Sequence, residues 1–83
     1  MDKQEQILTI LQEECAEVIQ AISKVRRFGM AENKEQLEQE IADMLLMVKL
    51  LYDNQIIEFD ELRMTTRMAI KSDKLKHYSN IYD

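Results

Sequence analysis

The chain has 83 residues, a length that allows one small domain, and we predict a single helical domain over residues 1–83. Eleven Lys and Arg residues against sixteen Asp and Glu residues give a formal net charge of −5. This balance argues against nucleic acid as a partner, because binding to phosphate backbones needs a basic surface.

Membrane insertion and secretion are also disfavoured. The first residues, MDKQEQ, do not have the pattern of a signal peptide, and the longest apolar run, Met44–Val48, is far shorter than the roughly 20 residues of a membrane-spanning helix. The single cysteine cannot form an intramolecular disulfide, which suits a reducing compartment. We therefore expect a cytoplasmic protein with no membrane partner.

The absence of proline and the presence of one glycine predict an all-α protein. Sheet proteins and loop-rich folds need turn-forming residues in quantity, and this chain lacks them. A domain this small buries only about 60% of the surface of its unfolded chain. We therefore predict a helical hairpin plus a third helix that completes a four-helix-type bundle by oligomerisation, as a homodimer or homotetramer.

The first predicted helix runs from Asp2 or Lys3 to Phe28. Gly29, the only glycine, stands where a helix C-cap is expected. Apolar residues recur at spacings of three and four, which is typical of one helical face, and Cys15 is predicted to be buried on that face. The residues of this face are Ile7, Leu8, Leu11, Cys15, Val18, Ile19, Ile22 and Val25.

Residues 30–35 are predicted to be a connection, with Asn33 as the N-cap of a second helix that runs from about Lys34 to Tyr52 or Asp53. The part of this helix from Met44 to Tyr52 is apolar nearly all round. A helix of that kind is buried on more than one side, and a small monomer cannot cover it. We therefore predict that this segment lies in the interface of a dimer.

The third predicted helix begins near Glu58 and ends in the low seventies. The remaining tail, residues 74–83, is short and mixed in composition. We expect it to fray or to pack against a partner.

The two longer helices each carry a pair of acids three residues apart, Glu14 with Glu17 and Glu40 with Asp43. At about 100° per residue, each pair lies on the shoulder of an apolar face, and an antiparallel hairpin can bring the pairs opposite each other. Carboxylates placed close together repel and raise one another's pKa unless a cation lies between them. Oxygen ligands without His or Cys select a hard cation, Mg²⁺ or Mn²⁺. From the residues alone, a metal site and a solvated acidic face both stay open.

Residues 13–17 read EECAE and residues 40–43 read EIAD. Their order and spacing resemble the EExxE…ExxD signature of the all-α nucleoside triphosphate pyrophosphohydrolases, a superfamily that includes MazG-type enzymes and dimeric dUTPases. The resemblance covers residues 7–75 and is closest to small MazG-like proteins with a single unit. It implies a dimeric or tetrameric hydrolase acting on acid anhydrides, which cleaves a (d)NTP between its α and β phosphates to the monophosphate and pyrophosphate in nucleotide-pool housecleaning.

The resemblance also implies roles for the motif acids. Glu13 would be the catalytic residue that orients or deprotonates the attacking water. The residues that would hold Mg²⁺, with Mn²⁺ as a substitute, are Glu14, Glu17, Glu40 and Asp43.

Three lysines are candidates for binding substrate phosphates. Lys24 lies seven residues after Glu17, about two turns along the same face. Lys71 and Lys74 fall near the end of the third helix, where the resemblance implies basic residues that meet the triphosphate. The alternative for all three is a solvated lysine near a helix C-terminus, where it complements the helix dipole.

A non-catalytic helical oligomerisation or adaptor module of the same fold is the alternative function. The complete set of motif acids favours the enzyme, because a scaffold has no reason to keep acids beside Met47 and Leu50.

Overall fold

The computed structural model describes residues 2–83 and contains three helices, α1 (Lys3–Phe28), α2 (Met30–Asp53) and α3 (Glu61–Tyr78). The described residues form no strand. The chain is therefore all-α, which confirms the prediction of a helical hairpin followed by a third helix. None of the described helices is both long and apolar enough to span a bilayer. The single-domain organisation stays a prediction.

The hairpin turn consists of Gly29 alone. Gly29 has φ of +101°, a conformation that L side chains rarely adopt, and its N–H donates a hydrogen bond to Val25 O at 2.9 Å. Asn33 Nδ2 donates to Gly29 O at 2.9 Å. The predicted connection over residues 30–35 was wrong, because one glycine reverses the chain and α2 begins at Met30. Asn33 therefore lies inside α2 and is not its N-cap.

The contact between α1 and α2 follows a spacing of four and three residues, as in a coiled coil. Its apolar end is a cluster of Ile7, Met47 and Leu51. Buried and half-buried residues continue this pattern along both helices, and we call them the seam. The seam residues are Ile7, Leu11, Glu14, Val18, Ala21 and Val25 of α1, and Asn33, Leu37, Glu40, Met44, Met47 and Leu51 of α2.

The seam leaves the hairpin with two different exposed faces. Cys15 was predicted to be buried and Ile22 to lie on the same apolar face, but both are exposed, because the seam is centred one row away from them. They belong to an apolar face, formed by Leu8, Cys15, Ile19, Ile22, Ile41, Leu45 and Val48. The other, the acidic face, contains Ile10, Glu13, Glu17, Lys24, Gln36, Asp43, Leu46 and Leu50.

Helix α3 begins later and ends later than predicted. Its N-cap is Asp60, whose side chain accepts a hydrogen bond from Arg63 N at 3.0 Å. Residues 58–60, which were predicted to be helical, therefore precede the helix. The helix continues to Tyr78, beyond the predicted end in the low seventies, because no Gly or Pro interrupts it there. The non-helical tail is therefore residues 79–83.

Helix α3 stands away from the hairpin. Within the described chain, no Cα of α3 lies within 8 Å of a Cα of α1 or α2. Tyr52 links them, with its ring edge-to-face on Phe59 at 5.3 Å between centroids and its hydroxyl 3.7 Å from Met64 Sδ. None of the α3 residues is buried.

The resulting shape is open for a chain of this size. The Cα radius of gyration is 15.7 Å, against about 12 Å expected for a compact chain of this length. The accessible surface is 6989 Å², roughly 1,800 Å² more than a compact monomer of this mass exposes. Much of the apolar surface that three helices normally bury against one another is therefore uncovered.

Candidate metal centre

Three carboxylates meet where the middle of α1 faces the middle of α2. Glu14, Glu40 and Asp43 each offer one carboxylate oxygen, and these three atoms all lie within 4.8 Å of one another. Glu17, one turn after Glu14, shares a hydrogen bond with the Glu40 carboxyl. The antiparallel hairpin thus brings together the four acids that the motif places on separate helices.

Two of these acids occupy positions where a coiled-coil seam normally has an apolar side chain. The Oε2 atoms of Glu14 and Glu40 are both buried, and neither has a hydrogen-bond partner among the described residues. Buried polar atoms are nearly always paired, since an unpaired one carries the full penalty of desolvation. A hard divalent cation bound between the helices would satisfy both oxygens, so the donor set fits Mg²⁺.

The electrostatics of the cluster point the same way. Burial raises the pKa of Glu14 above its ordinary value of 4.5, and the charges of Glu17, Asp43 and Glu13 raise it further. The hydrogen bond with Glu17 is the main cause that raises the pKa of Glu40, followed by burial and by the charges of Glu17, Asp43 and Glu14. The cluster therefore attracts positive charge, either a proton or a metal ion.

Glu13 and Lys24 lie on the same face but outside this cluster. Glu13 is exposed and precedes Glu14, close enough for its charge to raise the pKa of Glu14. Lys24 Nζ lies 3.5 Å from Gln36 Oε1, on the side of the cluster that leads to the hairpin turn. A cation thus lies about two helical turns from the acids.

The structure does not bring Lys71 and Lys74 beside the acids of the same chain. Both are exposed on α3, which stands away from the hairpin. They share one row of α3 with Arg63 and Arg67, and in the described chain none of the four is in an ion pair. The α3 helix carries a net charge of +3, although the whole chain is acidic.

A depression adjoins the acids on the side opposite the hairpin turn. It has a volume of about 320 Å³ and is lined by Gln6, Thr9, Ile10 and Glu13. Ligand sites begin at about this size. All four lining residues belong to α1, and Glu13 directly precedes Glu14 of the cluster.

The family model of the MazG nucleotide pyrophosphohydrolase domain matches residues 2–77. This chain belongs to the MazG nucleotide pyrophosphohydrolase family. The match covers α1, α2 and nearly all of α3. Neither the curated proteins nor the solved structures give a significant match to it. Proteins with this MazG domain are in general metal-dependent, in agreement with the cluster of Glu14, Glu40 and Asp43.

Sequence reasoning grouped the acids of this MazG domain correctly in space but missed where two of them stand. It placed Glu14 at the edge of the apolar stripe, whereas Glu14 and Glu40 are members of the seam. The signal was present in the spacing of Leu11, Glu14 and Val18, if an acid is allowed at a core position. The depression beside Ile10 was also missed, because its lining residues form no motif.

Proposed function

We propose that the protein is a Mg²⁺-dependent pyrophosphohydrolase that cleaves a (d)NTP to the (d)NMP and pyrophosphate in nucleotide-pool housecleaning. The observation that carries this proposal is the pair of buried, unpartnered oxygens of Glu14 and Glu40 beside Asp43, in a chain of the MazG family. A cytoplasmic location, expected from the single cysteine, belongs to the same proposal.

The metal-binding residues of this proposal are Glu14, Glu17, Glu40 and Asp43, with Mn²⁺ as a possible substitute for Mg²⁺. Their clustering on two facing helices and the absence of His and Cys from the cluster support a hard cation. When bound, such an ion neutralises phosphate oxygens and makes a water more acidic.

Glu13 is the proposed general base. Its exposure and its place beside Glu14 allow its carboxylate to meet a water at the edge of the cluster. The oxygen of that water forms a bond to the α-phosphorus, the bond from the α-phosphorus to the bridging oxygen breaks, and pyrophosphate leaves. The proton of the water passes to Glu13.

Lys24, Lys71 and Lys74 are the proposed phosphate-binding cations. Lys24 lies on the acidic face of the same chain, where its Nζ is 3.5 Å from Gln36 Oε1. Lys71 and Lys74 lie on a helix that stands away from its own hairpin, so we propose that they serve the acids of a second copy. The opposite charges of α3 and the acid cluster support this arrangement.

Self-association into a homodimer or homotetramer is part of the proposal. The surplus surface of roughly 1,800 Å² exceeds the roughly 800 Å² that one partner contributes to a standard interface. The apolar face, with Ile19 and Leu45 strongly exposed, is the surface we assign to this contact. It lies opposite the acids, so this contact leaves the acidic face open to substrate and to α3 of another copy.

The test is a turnover assay with Mg²⁺ against the common NTPs and dNTPs, including dUTP, that separates pyrophosphate from orthophosphate. We expect pyrophosphate release, and Glu17→Gln should lower it by at least about 100-fold. Glu38→Gln is the matched control, because Glu38 is an exposed acid of α2 outside the cluster. Full activity of Glu17→Gln would refute the metal assignment. No pyrophosphate release by the wild type would favour the non-catalytic oligomerisation or adaptor module.

A further inference from the structure

The acidic face is chemically different on the two sides of the acid cluster. Lys24 lies seven residues after Glu17 toward the hairpin turn, and Ile10 lies seven residues before it toward the open end, each about 10 Å away along α1. Ile10 leaves 40% of its surface exposed. One side therefore offers a cation, and the other offers an apolar surface.

Helix α2 extends the apolar side. Leu46 and Leu50 follow Asp43 by three and seven residues, a spacing that places all three on one side of the helix. Leu46 is exposed, and Leu50 is half-buried against the core cluster. The apolar side of the acidic face is thus formed by both helices, and the depression lined by Ile10 and Glu13 lies on its α1 part.

We propose that a nucleoside triphosphate lies along the acidic face with its β and γ phosphates toward Lys24 and its nucleoside over Ile10, Leu46 and Leu50. This inference rests on the proposed function and adds the direction of the substrate. The reverse direction would place the most highly charged part of the ligand on an apolar surface and its least charged part beside the lysine, which is unfavourable at both ends.

The position of the proposed general base agrees with this direction. Glu13 lines the same depression as Ile10, so the α-phosphate that water attacks lies between the nucleoside and the acids. Phe28 is a large exposed apolar side chain at the hairpin-turn end of α1. It lies eleven residues beyond Glu17, about 16 Å along α1, and Arg27 covers its ring at 5.1 Å. That distance is too long for a nucleoside whose phosphates reach the acids.

The two products divide the substrate at the cleaved bond, so their separate binding reports its direction. Calorimetry in Mg²⁺ would measure the affinity of inorganic pyrophosphate and of the nine common ribo- and deoxyribonucleoside monophosphates, dUMP included. Ile10→Asn is expected to weaken monophosphate binding by about tenfold and pyrophosphate binding by less than twofold. Lys24→Gln is expected to give the opposite pattern. The matched controls are Ile57→Asn, which also starts from 40% exposure, and Lys34→Gln, a lysine of α2 outside the acidic face.

The outcomes separate the direction of the bound substrate from the proposed function itself. The direction of the substrate would be established if Ile10→Asn weakens mainly monophosphate binding, Lys24→Gln weakens mainly pyrophosphate binding, and the two control variants change neither. A reversed pattern, or equal weakening of both products by each variant, would overturn the inference and leave the proposed function standing. A wild-type protein that binds neither product in Mg²⁺ and releases no pyrophosphate would overturn the proposed function, and the inference with it.

Discussion

Replacing Leu45 by Asn should weaken self-association strongly, whereas the same change at Leu46 should not. The two leucines are neighbours on α2, and each leaves 55% of its surface exposed in the single chain. Leu45 belongs to the apolar face and Leu46 to the acidic face. The pair therefore separates the effect of the interface from the general effect of removing a leucine.

The expected size follows from the exposed fraction. Burying a whole leucine side chain contributes about 1.5–3 kcal/mol, and 55% of that contribution is available to a partner at Leu45. A two-fold symmetric interface contains the residue twice, so Leu45→Asn should cost about 2–3 kcal/mol per dimer, or about 30- to 150-fold in the dissociation constant. Leu46→Asn should change it by less than about threefold.

Sedimentation of a dilution series measures both dissociation constants directly. Circular dichroism of the same samples would check that each variant keeps its helices. Equal weakening by the two variants would show that the apolar face is not the interface. A wild-type protein that sediments as a monomer at high concentration would refute self-association altogether.

Two further predictions concern the stability of the fold, one in the presence of Mg²⁺ and one in its absence. Mg²⁺ at ten times its Kd should stabilise the fold by about 1.4 kcal/mol, or roughly 6–11 °C in Tm, and Asp43→Asn should lose most of this shift in a thermal melt. An Asp43→Asn shift as large as that of the Glu38→Gln control would contradict the site. The raised pKa values of Glu14 and Glu40 mean that the metal-free fold binds protons more tightly than the unfolded chain, so their contribution to stability should increase as pH falls through the raised values toward 4.5. Denaturant titrations should show a smaller gain in metal-free Glu14→Gln, which keeps only the contribution of Glu40, than in the metal-free wild type, and identical pH dependence would refute the prediction.

The all-α class and the boundaries of α1 could be predicted from local sequence preferences. Asp2 accepts a hydrogen bond from Glu5 N at 2.8 Å, and Gly29 ends α1, so both boundaries are marked by residues with strong preferences. The start of α2 was misplaced because the capping preference of Asn33 was given more weight than the ability of Gly29 to turn the chain alone. Local preference did not reveal which of two neighbouring turn signals the hairpin uses.

The grouping of the site acids could be predicted from the sequence, whereas the position of α3 could not. The spacings Glu14 to Glu17 and Glu40 to Asp43 fix the pairs on each helix, and the hairpin brings them together without further information. The distance of α3 from the hairpin has no counterpart in local patterns, because it depends on which surfaces find a partner. Lys71 was therefore correctly predicted to be in a helix, but its relation to the acids could not be derived from spacing.

The seam shows how the acids and the self-association depend on each other. Within the described chain only Ile7, Ala21, Met47 and Leu51 are buried, and Glu14 and Glu40 interrupt the seam between Ala21 and the other three. Apolar residues at those two positions would hold the hairpin together but would leave no place for a cation. Charge in the seam thus weakens the middle of the hairpin, and two contributions can offset this loss: a metal ion that joins the helices on the acidic face, and a second copy that packs on the apolar face. Because these contributions act on opposite faces, the protein can associate without closing its site.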